Sequence, residues 1–180
     1  MKARLLTIVA AVCALAVPVL ADSTMPYAGQ QTRQIKALSD DDVAALLKGD
    51  GMGFAKAAEL NGYPGPKHVL DLADRLKLTP DQRQQIGAIF EKMSAAAKPL
   101  GAELVDRERT LARLFQKSEI TPDRLAQETA AIGDVQGRLR DVHLSAHLET
   151  RALLTPEQIA LYERLRGYGN PDMSTMHHHG

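Results

Sequence analysis

The most regular feature of the chain is a pair of long stretches in which apolar residues recur at alternating spacings of four and three. Ile86, Phe90, Met93, Ala97, Leu100, Leu104, Arg107, Leu111 and Leu114 form the first. Leu125, Glu128, Ile132, Val135, Leu139, Val142, Ala146, Glu149 and Leu153 form the second, with two acidic interruptions. Such spacing puts each set on one side of a helix, so the pattern predicts two long helices sharing an apolar seam. Only Lys117 to Ile120 separate them, a link short enough to make them antiparallel neighbours. Pro99 is expected to bend the first helix, and Gly101, Gly133 and Gly137 to let the two backbones approach.

The helix starts share one phrase. Leu78-Thr79-Pro80-Asp81-Gln82 and Leu154-Thr155-Pro156-Glu157-Gln158 each offer a threonine cap, a proline at the first helical position, an acid at the positive helix end and a glutamine that closes a capping box. Ile120-Thr121-Pro122-Asp123 is a weaker copy, with Arg124 in place of the glutamine. The last helix, from Pro156 to Arg166, ends at Gly167. Upstream, Ser39-Asp40-Asp41-Asp42 opens a short helix that stops at Gly49, a second covers Phe54 to Leu60, and Tyr63-Pro64-Gly65-Pro66 is a rigid turn before helical spacing resumes from Lys67 to Leu76. The fold class is therefore all-α: a long antiparallel hairpin over 78–168, preceded by an arm and short helices over 22–77.

The two ends read differently. Lys2 and Arg4 followed by the apolar run Leu5 to Leu20 and the small residue Ala21 form a secretory signal peptide over 1–21, too short and too proline-marked for a spanning helix. Export to the periplasm is expected, with no membrane span after cleavage. The single cysteine, Cys13, lies inside the leader behind Val12, which argues against a lipid anchor and leaves the mature chain without thiols, hence without disulfides or thiolate chemistry. Lys2 and Arg4 leave with the leader, so 20 of the 22 basic residues face 22 acidic ones, a formal charge of −2 that gives no general attraction to nucleic acid. Tryptophan is absent and aromatics are 4 %, so the core is built mainly from aliphatic residues and methionine. At the other end, 169–180 reads as a disordered tail containing Met173, Met176, His177, His178 and His179.

Two LTPxQ phrases flanking a hairpin in an exported chain resemble the LTxxQ-motif periplasmic family. That group includes chaperones of the Spy and CpxP type, the zinc-resistance-associated protein and CnrX-type heavy-metal sensors. The resemblance covers about Leu78 to Tyr168, whereas the segment from Tyr27 to Leu70 lies outside the chaperones' pattern. It implies a mainly structural role for Thr79, Gln82, Thr155 and Gln158, a homodimer with a concave, partly basic surface, and in some members binding of zinc, copper, nickel or cobalt through His, Glu and Met.

Candidate chemistry is sparse. His143 and His147, four apart on the second long helix, point to one side and can share a metal ion. With Leu144 between them the HExxH metalloprotease pattern lacks its general base. A hairpin turning near residue 119 places Glu91 opposite His147 and Met93 nearby, to within a helical turn of about 3.6 residues. Two imidazoles, a carboxylate and a thioether suit Zn, Co, Ni or, through Met93, Cu. The competing view makes both histidines boundary residues bonded to Glu91 or Glu149. His68 is a further candidate ligand or a structural histidine, and His177, His178 and His179 form either a metal-capturing tail or an expression remnant or neutral disorder, three histidines being short for a purification tag. Arg107, Arg109 and Arg113 beside Leu111, Leu114 and Phe115 form a candidate client surface at the hairpin tip, or simply a solvated face interleaved with Glu103, Asp106 and Glu108. No Gly-rich phosphate loop, nucleophile elbow or serine triad context is present, which argues against an enzyme and against an organic cofactor. The expectation is a metal-responsive periplasmic protein that senses or buffers an ion, with an ATP-independent chaperone for unfolded envelope proteins as the alternative and a membrane sensor as a further partner.

Overall fold

The computed structural model describes residues 25–168, so the leader, the tail and His177, His178 and His179 lie outside the described residues. Six α-helices come after a short 3-10 turn at Gln30–Thr32: α1 Asp40–Lys48, α2 Lys56–Glu59, α3 Pro66–Asp71, α4 Pro80–Gln116, α5 Pro122–Ala152 and α6 Pro156–Arg166. No strand occurs among the described residues, and the all-α hairpin expected from the periodicity is what forms. The chain divides into two units. Of the first, up to Gln31, residues from Met25 make successive turns, with Ala28 N–H donating to Met25 and Gln30 N–H to Tyr27. The second, from Thr32, carries all six helices.

Each long helix starts where its phrase predicts. Thr79 accepts from Gln82 N–H at 3.1 Å while Gln82 accepts from Thr79 N–H at 3.0 Å, and Thr155 and Gln158 repeat the exchange. The weaker copy gives only half of it: Thr121 accepts from Arg124 N–H at 3.3 Å, and no side chain answers. Ser39 and Asp42 build the same box on α1, whose other end closes on Gly49 in the left-handed region that favours glycine.

The upstream helices are shorter than their spacing suggested. Met52 and Gly53 both have positive φ, 41° and 81°, so the chain around Phe54 is a turn and α2 begins only at Lys56. Likewise α3 ends at Asp71; Leu72, Ala73 and Leu76 remain inward through a run of turns, and the chain reverses at Lys77, φ 51°.

Two cores result. In the middle of the hairpin, Ala97, Leu100, Leu104 and Val105 of α4 meet Ile132, Val135 and Leu139 of α5, capped by Leu46 of α1 and by Ile35. At its open end Ile86 and Leu154 join Val69, Ala73, Leu76, Leu78 and Tyr162. Gly101 does not serve the α4–α5 approach expected of it. A Cβ there would lie 2.0 Å from the Leu46 carbonyl oxygen, so it is α1 that needs the glycine, whereas Gly133 and Gly137 have nothing within 4 Å of a Cβ position. α4 runs unbroken through Pro99, which sits on its exposed side where the lost N–H costs least. Among the described residues no helix is long and apolar enough to cross a membrane.

Candidate functional site

Between the two cores, α5 turns an unexpected face inward. His143, Ala146, His147 and Thr150 are buried, while Val142, placed on the seam by its spacing, is only partly covered. The cause is the upstream segment: α2 and α3 pack against α5 and bury a second stripe beside the hairpin seam.

His147 is held by groups the periodicity did not single out. Its Nδ1 lies 2.7 Å from the Tyr63 carbonyl oxygen and 3.8 Å from Glu59 Oε2. A carbonyl can only accept, so Nδ1 carries a proton, and in the neutral ring the lone pair is on Nε2. Glu59 is itself fixed: Tyr162 donates its hydroxyl proton to it at 2.5 Å, Gly65 N–H donates at 3.3 Å, and Arg166 stands 3.5 Å away. Burial and this carboxylate push the Tyr162 phenol far above its usual range, so it is a permanent donor. Tyr63 in turn lies beneath the Arg151 guanidinium, 4.5 Å from its ring centre. Gly65 closes against the imidazole so tightly that a Cβ would stand 2.7 Å from Nε2; its own backbone, φ −82° and ψ 147°, is ordinary. Space, not conformation, requires glycine there.

His143, 2 % exposed, stacks parallel to Phe54 with ring centres 6.2 Å apart, and its Nε2 is buried with no hydrogen-bond partner. Burial pushes its pKa below the ordinary histidine value, the neighbouring His147 adds to that, and Asp50 opposes it. Both rings line a cavity of about 150 Å³, together with Met93, Phe90 and Ser94 of α4, Asp50 and Gly51 of the α1–α2 loop, and His68 of α3. His68 is half-buried, 3.7 Å from Asp71, and desolvation with the nearby Arg166 lowers its pKa too.

The structure thus brings His143, His147, Met93 and His68 to one cavity and leaves Glu91 out. Glu91 is exposed on α4, and the carboxylate beside His147 is Glu59. The hairpin register was not the error. Lys92 bonds Glu149 at 2.9 Å, within a turn of the anticipated pairing; the histidines simply face the upstream segment instead of α4's outer side. Among the described residues no three of His, Cys, Asp and Glu are grouped to hold a metal ion; the cavity wall carries imidazoles, the Met93 thioether, the Asp50 carboxylate and the Ser94 hydroxyl. Glu59 falls in the short helix expected over Phe54 to Leu60, and Tyr63 and Gly65 in the Tyr63-Pro64-Gly65-Pro66 turn; neither stretch has the periodicity to say which face it would cover.

At the hairpin tip the six residues of the candidate client surface separate. Leu114 is buried in the seam and Leu111 packs against the core. Arg107 lies 3.9 Å from Glu103 and 3.8 Å from Glu128, and Arg109 pairs with Asp106. Arg113 and Phe115 are exposed, Phe115 by 55 %.

A family model described as LTXXQ motif family protein matches residues 66–166. That span takes in both Thr-Pro-acid-Gln starts, His68 and the imidazole pair, and leaves Glu59, Tyr63 and Gly65 upstream of it. The comparisons with curated proteins and with solved structures each returned no match. With more than half of its length matched, the chain belongs to the LTXXQ motif family.

Proposed function

We propose that this chain is an exported, periplasmic metal-responsive protein that binds one soft or borderline ion between His143 and His147. The observation that carries the reading is the buried, unpartnered Nε2 of His143, in a cavity it shares with His147, whose Nδ1 is engaged and whose Nε2 is left as a lone pair. A buried nitrogen without a partner costs about 1–3 kcal/mol, which a bound ion would recover. Neutral imidazoles are what coordination requires, and burial keeps His143 neutral. The Tyr63 carbonyl and Glu59 do for His147 what outer groups do for metal-bound histidines: they fix ring and tautomer. With the Met93 thioether on the wall beside two imidazoles, cuprous copper suits the set better than zinc, nickel or cobalt.

Titration of the mature protein with Cu(I) under reducing conditions, and separately with Zn(II), Ni(II) and Co(II), tests this. One ion per chain is expected, tightest for Cu(I), with binding lost in His143→Ala/His147→Ala; unchanged binding in that double variant rejects the site. The ion would serve sensing or buffering, and nothing in the cavity calls for a reaction. A chaperone role has one specific support, the exposure of both Phe115 and Arg113 at the tip, since Arg107 and Arg109 are occupied by neighbouring acids. Suppression of aggregation of an unfolded client, abolished in Phe115→Ser/Arg113→Glu, is its test.

A further inference from the structure

The loop laid over the imidazole pair carries a methionine where the backbone does not favour one. Gly51 lies against His143, a Cβ on it standing 3.7 Å from the ring's Nδ1, and Phe54 stacks on the same ring. Between these two contacts Phe54 N–H donates to the Gly51 carbonyl at 2.7 Å, and Met52 and Gly53 take φ values of 41° and 81°. That bond with two successive positive φ values has the form of a type I′ turn, whose first central position belongs to Asn, Asp or Gly. A methionine there gains nothing for the backbone. It gains little burial either, since Met52 is 42 % exposed. Backbone strain of this kind clusters at ligand-binding and switch positions.

Met52 lines a second cavity, of about 290 Å³, together with His68, Glu59, Lys56 and Arg166. Gly51, Ala55, His68 and His147 belong to both this cavity and the inner one, so the outer cavity leads from solvent to the imidazole pair. The His68 side chain is 41 % exposed, with Asp71 3.7 Å from its Nδ1, whereas His143 and His147 are buried. A thioether and an imidazole therefore face solvent in front of two imidazoles that do not. Lys56 and Arg166 stand against one carboxylate, Glu59, which leaves the mouth short of the negative oxygen ligands that hard divalent ions need. A soft monovalent cation needs none, because thioether and imidazole bind it as neutral donors. Met52 also lies upstream of the span matched by the family model, so this mouth is not a feature of the matched region alone.

We infer that Met52 and His68 form an acquisition position for cuprous copper at the mouth of the cavity, from which the ion passes to His143 and His147. The passage is ligand exchange. A bond to His147 Nε2 forms while the Met52 sulfur and His68 still hold the ion, and the bond to Met52 breaks as His143 Nε2 joins. The oxidation state is unchanged and no proton moves, since a thioether and neutral imidazoles coordinate as they stand. Two neutral donors hold the ion loosely, as a position that must give it up requires. The inference rests on the reading of His143 and His147 as the resident site, and the experiment keeps the two apart.

Cu(I) is delivered to the full mature chain from a chromophoric chelator under reducing conditions. Stopped-flow absorbance gives the loading rate, and the end point gives the affinity. Met52→Leu, which keeps the volume, and Met52→Gly, which also relieves the positive φ, are expected to load about tenfold more slowly than wild type, because the ion is no longer held beside the inner pair. His68→Ala is expected to slow loading as well. Release to excess chelator slows by the same factor, since one position serves both directions, so the affinity stays close to that of wild type. Met52→Gly is expected to melt higher than wild type, which separates loss of the thioether from damage to the turn. In His143→Ala/His147→Ala one weakly held ion remains, and adding Met52→Leu removes it. Wild-type loading rates in both Met52 variants, or absence of that residual ion, would overturn the inference and leave the inner site standing. A loss of affinity as large as the loss of rate would overturn it too, since Met52 would then be a permanent ligand of the inner ion. Wild-type affinity in His143→Ala/His147→Ala would reject the inner pair, and the passage to it as well.

Discussion

At residue scale the imidazole pair is governed by two small contacts. Gly65 has an ordinary backbone conformation that alanine would adopt freely, and only the 2.7 Å approach to His147 Nε2 forbids a side chain. Gly65→Ala is therefore expected to turn the imidazole away and weaken metal binding by about tenfold or more, as losing a ligand's orientation does, while helix content stays unchanged. Calorimetric titration decides it; wild-type affinity in that variant would mean Nε2 is not the ligating atom. The second contact is the burial of His143. Its folded pKa lies below the ordinary 6.5, so the unfolded chain binds more protons between the two values, and the stabilisation present above pH 6.5 is lost as pH falls through that window. His68 is shifted the same way and adds to the slope. The melting temperature is expected to drop as pH goes from 7 to 5, and His143→Leu, which keeps the packing on Phe54, is expected to flatten part of that fall. A slope identical to wild type in His143→Leu would show that His143 titrates alike in the folded and the unfolded chain.

At the scale of elements the two LTPxQ phrases turn out to be one device. Gln82 Nε2 donates to the Leu153 carbonyl at 2.8 Å and to Gln158 Oε1 at 2.9 Å; Gln158 Nε2 returns to the Leu76 carbonyl at 3.2 Å and to Gln82 Oε1 at 3.1 Å. Each glutamine thus caps its own helix and satisfies a carbonyl just before the other's start, locking the beginning of α4 to the beginning of α6. Gln82→Ala and Gln158→Ala are each expected to cost about 1–3 kcal/mol, because partners are left unpaired, and the double variant to cost less than the two added together, by about 0.5–1 kcal/mol. Urea unfolding of the four proteins measures this; strict additivity would mean that the mutual bond contributes nothing. The helix starts were legible because capping is local: Thr79, Thr155 and Ser39 act on residues three positions away. What was not legible is that the glutamines meet, since a contact across 76 positions leaves no local trace. The same holds for Gly101. Its small size was visible, but only the docked helix α1 shows that Leu46 is the neighbour that needs it.

For the molecule as a whole, the decisive unknown in the sequence was which second face of α5 would be covered. The seam Val135, Leu139, Ala146 could be read from spacing, and the hairpin and its approximate register with it. The burial of His143 and His147 instead depends on a segment with little periodicity that folds back over the hairpin and fixes itself through Glu59 to Tyr162 and Arg166 of α6. This arrangement distributes stability unevenly. Both cores lie between Ile86 and Val105 on α4 and from Ile132 on α5 to Leu154 just beyond its end, reinforced by α1, α3 and α6. Beyond them the hairpin is two helices touching along one seam, and from Phe115 to Gln127 almost every residue is exposed. Opening the tip breaks few apolar contacts, whereas opening the middle exposes Leu46, Val105, Val135 and Leu139 together, each worth about 1.5–3 kcal/mol of burial. Native-state hydrogen exchange is therefore expected to grade along α4 and α5. Amides from about Ala112 to Ala130 should exchange through local opening several kcal/mol below the global free energy, and those around Leu104 and Leu139 only with global unfolding. Glu59→Ala should extend fast exchange to α2, α3 and the His143–His147 stretch without touching the tip, because it releases the anchor that holds the upstream segment on α5. Uniform protection along both helices would show that the tip is stabilised by contacts beyond this chain's own seam, and a Glu59→Ala pattern confined to α2 would place the anchor elsewhere.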